Sequence, residues 1–263
     1  MSLDGGQATI VERLAAWLRG AARAVAFTGA GISTESGVPD FRSPGGVWTT
    51  SQPVYFDEFL HSADARREYW RQKAISHHDF ERAEPNAGHR LLAAWEGAGR
   101  LRGLITQNID GLHQLAGSQQ VLELHGTARW VACLTCAARF PAEEMVARFL
   151  AVGDPPPCPD CGGLLKHATV SFGQQLPPEV LEAAAQWSRQ ADVFLAIGSS
   201  LVVQPAASLP VIARQRGARL VVLNLEPTPL DDIAQIVLRA PIGATLQAVQ
   251  AALGDEGTST TCG

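Results

Sequence analysis

Short apolar segments alternate with stretches of helical periodicity along this chain, and five of them end on small or polar residues. That alternation constrains the fold more than any other feature. The segments are "AVAFTGAG" (24–31), "LRGLITQ" (101–107), "VLELHG" (121–126), "DVFLAIGSS" (192–200) and "ARLVVLNLE" (218–226), followed by "AQIVLRA" (234–240). Residues 12–19, 63–73, 87–96, 177–189, 206–216 and 243–253 read as helices between or beside them, with Asn86 as an N-cap and Pro177 at a helix start. Apolar strands that alternate with helices form a parallel sheet buried on both faces, and the first two and the third segments read as buried strands. Ligands of such sheets sit beyond the carboxyl ends of the strands. Those ends are Thr28-Gly29, Gln107-Asn108, His125-Gly126, Gly198-Ser199 and Asn224, so they predict a polar cleft of the kind that takes a nucleotide.

Composition narrows the partners. A net charge of −5 argues against non-specific nucleic-acid binding. No apolar run approaches the ~18 residues of a membrane span, and the first residues carry no basic start before an apolar run. These features lead to the expectation of a cytoplasmic protein without membrane contact. Lysine occurs only at positions 73 and 166, a skew expected to reflect gene composition rather than function. The tail "GDEGTSTTCG" (254–263) is polar and expected to be disordered, with Cys262 incidental.

The stretch "GAGISTESGVPDFRS" (29–43) opens as a turn that can approach a diphosphate closely. A dehydrogenase fingerprint needs a third glycine at position 34, where this chain has Thr34. The continuation is punctuated by Gly and Pro and carries an acid, an aromatic and an arginine. It suits a loop that folds over a ligand rather than a helix packed on a sheet. Cys133-x2-Cys136 and Cys158-x2-Cys161, 21 residues apart, offer two thiolate knuckles for one tetrahedral Zn²⁺. A closed four-sulfur shell leaves no open position, so the zinc is read as structural, holding a Pro- and Gly-rich segment together. The basic residues near it are too few to suggest nucleic acid. Of the histidines, His125 stands apart because it emerges at a strand end inside the cleft, where an imidazole can act as general base near neutral pH. His61, His77 and His78 read as solvated, and His89 as part of a helix face. Asn108 and Asp110 could equally be Asx-type helix caps.

Several motifs occur together in one order: the 29–43 stretch, "TQNIDGLH" (106–113), "HG" (125–126), the two cysteine pairs, "GSSLVVQPA" (198–206) and "NLEPTPLD" (224–231). In this the chain resembles the sirtuins, NAD-dependent protein-lysine deacylases, over roughly residues 20–250. The resemblance implies an α/β fold: a Rossmann-like parallel sheet covered by helices, with a smaller zinc-binding module and a helical insertion. The expected division is 1–58, 86–126 and 168–253 for the NAD-binding domain, 59–85 for the insertion and 127–167 for the zinc module. It implies that the acyl oxygen of acetyl-lysine displaces nicotinamide from the ribose of NAD, and that His125 then takes a proton from the ribose hydroxyls. Asn108 would hold the ribose and a water, and Ile109 with Asp110 would form the nicotinamide pocket. Gln107 would meet the ribose hydroxyls, and His113 would be structural support.

Further NAD contacts implied by the resemblance are Gly29, Ala30, Gly31, Ser33, Thr34, Asp40, Phe41 and Arg42 from the first loop. Gly198, Ser199 and Ser200, then Asn224, Leu225 and Glu226, then Ile242 complete the set. Phe41 would shield the reactive ribose carbon from water. Acetylated protein would lie extended between "SFGQ" (171–174) and "SLVVQ" (200–204), with Val170, Phe172, Gly173 and Val202 as contacts. Sirtuins that prefer acidic acyl groups carry Tyr-x-x-Arg; here Tyr69-x-x-Gln72 stands, with Arg71 one position early, so acetyl is favoured. Two other readings use the same cleft: a protein mono-ADP-ribosyltransferase and a non-catalytic NAD-sensing module. A redox dehydrogenase is disfavoured by Thr34.

Overall fold

A computed structural model describes residues 5–40 and 52–254. Its centre is a six-stranded parallel sheet built from β1 (Ala24–Thr28), β2 (Gly103–Thr106), β3 (Val121–Glu123), β7 (Val193–Ile197), β8 (Arg219–Leu223) and β9 (Ile236–Leu238). The strand order is β3-β2-β1-β7-β8-β9. β1 pairs with β2 on one side and with β7 on the other, so the winding direction reverses between β1 and β7. In an open α/β sheet that reversal parts the loops and leaves a crevice at the carboxyl ends.

The sheet forms because its strands are apolar on both faces. Every residue of β1 and of β7 is buried. Successive side chains point to opposite faces. Ala24 and Ala26 therefore join one core with Leu104, Leu195 and Val221, under α1 (Gly5–Arg19), α4 (Ala87–Gly97) and α9 (Ile242–Leu253). Val25 and Phe27 join the other with Ile105, Phe194 and Val222, under α7 (Pro178–Gln190) and α8 (Ser208–Gln215). β3 departs from the sequence expectation of a buried strand: all three of its residues are only half-buried, because it is the edge of the sheet.

A second, three-stranded antiparallel sheet has the order β5-β4-β6, from β4 (Gly126–Cys133), β5 (Arg139–Pro141) and β6 (Leu165–Thr169). Periodicity did not reveal these strands. β4 has an irregular burial pattern and its register against β6 shifts between Gly126 and Val131. The helices α2 (Phe56–His61), α3 (Ala63–Arg82) and α6 (Ala142–Val152) pack on this sheet. Phe59, Tyr69 and Trp70 share one core with Val131, Met145, Phe149 and Leu165, so the helical insertion and the cysteine-bearing segment form a single packed unit. α3 runs further than the apolar pattern predicted because its last turns are polar.

Candidate active site

The loops that follow β1 and β7 touch backbone to backbone. Gly31 N–H donates to Gly198 O at 2.9 Å, and Gly29 N–H donates to Ile197 O at 3.0 Å. Gly198 has φ +63°, and a Cβ there would stand 2.5 Å from the amide nitrogen of Ile32. This contact accounts for the glycine spacing. The first loop does not enter an α-helix packed on the sheet; it makes two 3-10 turns, Ala30–Ile32 and Thr34–Ser36. Position 34 needs no glycine, because Thr34 is exposed there and its hydroxyl donates to Gly31 O at 2.9 Å. Glu35 fastens the same loop to the start of α9 by accepting the N–H of Gly243 at 2.9 Å.

Behind the glycine loops lies a buried polar network. Ser33 Oγ donates to Asp110 Oδ2 at 2.7 Å, and Asn108 Nδ2 donates to Ser33 Oγ at 3.1 Å and to Gly29 O at 3.2 Å. Asp110 Oδ1 also accepts the N–H of Leu112, the first residue of the short helix α5 (Leu112–Leu115). Asp110 thus holds the start of α5 and Ser33 at once. His113 Nε2 lies 2.9 Å from Thr28 Oγ1, and its ring packs 4.9 Å from that of His89. Burial holds both imidazoles neutral, lowering His113 to about 3 and His89 to about 4. His89 is therefore no surface residue: it closes a capping box with Asn86 at the start of α4 and is fully buried.

His125 stands between β3 and β4. Its Nδ1 lies 2.9 Å from the carbonyl oxygen of Gln107. A carbonyl only accepts, so the ring hydrogen sits on Nδ1 and the neutral imidazole carries its lone pair on Nε2. Gln107 is itself tied across the crevice, donating to Ser199 Oγ at 2.7 Å.

Two cavities meet at this imidazole. The first, about 430 Å³, is lined by Gly29, Ala30, Gly31, Thr34, Asp40, Gln107, Asn108, His125, Gly198, Ser199, Ser200, Asn224, Leu225, Glu226 and Ile242, all of them expected from the sequence. Val203 lines it as well and was not expected. Ser33 and Asp110 do not line it; they stand behind it and brace Asn108. Phe41 and Arg42 lie outside the described residues. Arg239 holds the Asn224 to Glu226 corner by donating to both of their carbonyls, a role no local pattern announces.

The second cavity, about 280 Å³, shares Gln107, His125 and Val203 with the first. Ile109 lines it, as do Val170, Phe172 and Gly173. Val202 does not: it is exposed, and its neighbours Val203 and Gln204 face the cavity instead. The loop leaves β7 without strand alternation, so the inward phase fell one residue later than the sequence suggested. Tyr69, Gln72, Lys73 and Thr169 close the far end.

The four cysteine sulfurs lie within 4.8 Å of one another, with Cys133 Sγ 3.5 Å from Cys161 Sγ and Cys136 Sγ 3.7 Å from Cys158 Sγ. Sulfurs on a tetrahedral Zn²⁺ with bonds of about 2.3 Å stand roughly 3.8 Å apart. The N–H of Cys136, then that of Thr135, lowers the Cys133 thiol to about 6. Against the N–H of Gly163, which lowers it, the sulfurs of Cys136 and Cys133 push Cys161 up to about 12. Four thiolates this close need a cation between them, and the donor set fits one zinc.

Residues 29–205 match the model of the Sir2 family. A protein from Rhodopseudomonas palustris named NAD-dependent protein deacetylase is 47% identical over 90% of this chain and 94% of its own length. NAD-dependent protein deacetylase 2 from Streptomyces coelicolor is 48% identical over 86% of this chain and 96% of its own. A solved Sir2 structure bound to acetylated peptide superposes with a TM-score of 0.84 at 35% identity, covering 93% of this chain and 99% of that one. The relatives and the fold agree along nearly the whole length, the family model over most of it, and this chain belongs to the Sir2 family.

Proposed function

We propose that this protein is an NAD-dependent protein-lysine deacetylase that yields nicotinamide, free lysine and O-acetyl-ADP-ribose. One observation carries the reading: His125 lines two cavities at once, one bounded by the glycine loops and strand ends, the other a smaller space lined by α3 and the loops that follow β6 and β7. NAD would occupy the first and an acetyl-lysine side chain the second, so their reacting ends would meet at the imidazole. NAD brings an electrophilic ribose carbon with nicotinamide as its leaving group.

The chain's own residues would do the rest. Gly29, Ala30 and Gly31 let the backbone approach a diphosphate, and Ser199 and Ser200 supply hydroxyls. Glu226 would take ribose hydroxyls at the end of β8, where an acid commonly does so in dinucleotide folds. His125 Nε2 would accept a proton from a ribose hydroxyl, its ring held by Gln107 O. Asn108 would position the ribose and a water, braced by Ser33 and Gly29 O. Asp110 would act from behind, keeping Ser33 and the start of α5 in place. Ile109, Val170, Phe172 and Val203 would wall the acyl-lysine tunnel. The substrate backbone would lie extended between 171–174 and 200–204, an arrangement that accepts many sequences. Among the described residues no helix is long and apolar enough to cross a membrane.

The test is direct: purified protein, an acetyl-lysine peptide and NAD, with nicotinamide release and product masses followed together. Stoichiometric nicotinamide, deacetylated peptide and O-acetyl-ADP-ribose are expected. ADP-ribose appearing on the protein or peptide, with the acetyl group retained, would instead mark a transferase.

A further inference from the structure

The only two lysines of the chain, Lys73 on α3 and Lys166 on β6, converge on one aromatic ring. Both ammonium groups lie 5.5 Å from the centre of the Tyr69 ring. Tyr69 and Lys73 are one helical turn apart and face the same way, into the far end of the second cavity. Lys166 is 1% exposed and stands behind them, its ammonium donating to the carbonyl of Thr169. His167 packs against Tyr69, and neither of its ring nitrogens has a partner.

Among the described residues no carboxylate pairs with either ammonium. The nearest acid on the helix, Glu68, is held by Arg71 at 2.7 Å on the outer side. Gln72 lines the cavity, but its amide nitrogen is taken elsewhere, donating to Gln52 O at 2.9 Å and to Glu68 Oε1 at 2.8 Å. Burial without a partner is costly for a cation. It lowers Lys73 to about 8 and, with Lys73 nearby, Lys166 to about 7. Among the described residues, the floor of this cavity thus has one lysine lining it, a second behind it, and no acid. A neutral acetyl group leaves that imbalance as it is, whereas a carboxylate would relieve it.

We propose that this deacylase also removes acyl groups that end in a carboxylate, with Lys73 receiving that carboxylate at the cavity floor and Lys166 supporting it from behind. The inference rests on the function proposed above. It departs from the expectation drawn from Gln72, because the cation comes from the next residue on α3 and from a distant strand. The chemistry is unchanged: acyl-lysine, NAD and water give free lysine, nicotinamide and O-acyl-ADP-ribose, and the distal carboxylate passes through intact.

Matched peptides carrying acetyl-, succinyl- and succinamyl-lysine test it, the last being the uncharged isostere of the second. The wild-type protein should cleave succinyl-lysine with kcat/KM at least about tenfold above succinamyl-lysine, as charge-assisted contacts outweigh neutral ones. Lys73→Met should bring that ratio close to unity, and Lys73→Arg should keep most of it. Succinyl no better than succinamyl in the wild type overturns the proposal without recourse to any variant. An advantage that survives in Lys73→Met overturns the assignment to Lys73. Turnover of acetyl-lysine alone defeats this inference and leaves the deacetylase reading standing; turnover of none of the three defeats the deacetylase reading itself.

Discussion

His125 owes its proposed role to one hydrogen bond. With Nδ1 donating to Gln107 O at 2.9 Å, the basic nitrogen is Nε2, and the ring borders both cavities. His125→Ala removes the proton acceptor and leaves the glycine loops and Ser199 in place. Deacetylation is expected to fall by about a hundredfold to ten-thousandfold, the usual worth of a positioned general base. NAD affinity should stay within a few-fold, as titration calorimetry would read. An activity loss that merely tracks a loss of NAD binding would make His125 a cofactor contact instead. This residue was legible in the sequence because it stands alone at an apolar strand end. Lys73 was not legible: next to Gln72 and Arg71 it reads as one more polar position, and only the phase of α3 turns it inward.

At the scale of elements, the cysteine pairs sit where strands must be fastened. Cys133 ends β4, and Cys158 belongs to the same core as Phe59, Trp70 and Phe149. The segment between α6 and β6 holds Pro155, Pro156 and Pro157 and bears Cys158 and Cys161, so little regular structure supports the second knuckle. One zinc per chain is expected by elemental analysis of protein purified without chelator. Cys133→Ser should lower zinc content and Tm together, and reduce activity only as far as it reduces the folded fraction. Full activity in stable, zinc-free protein would contradict a structural metal. The pairing of the cysteines was readable from spacing alone. The strands that carry them were not, because the irregular register of β4 erases the period of two that marks a strand.

Across the whole molecule, three buried histidines set a pH limit. Burial lowers His113 to about 3 and His89 to about 4, and holds His167 well below its ordinary value. An unfolded chain protonates these rings near pH 6.5, whereas the folded one resists until its lower values are reached. The stabilisation is therefore complete above about pH 6.5 and is lost as pH falls toward 4, each ring steepening the loss by about 1.4 kcal/mol per pH unit. Thermal melts should show Tm dropping steadily across that window, and His113→Gln should flatten the slope even where it lowers Tm at neutral pH. An unchanged slope would mean that His113 takes up its proton in the folded state. Chain-local patterns by themselves determined the parallel sheet, the polar strand ends and the zinc ligands, because periodicity and close spacing report directly on backbone geometry. Tertiary structure alone decided that the first loop meets β7 through Gly31 and Gly198, that Val203 rather than Val202 faces the second cavity, and that Lys73 and Lys166 converge on Tyr69. Those meetings depend on strand order and helix phase between segments far apart in the chain, and no local pattern records them.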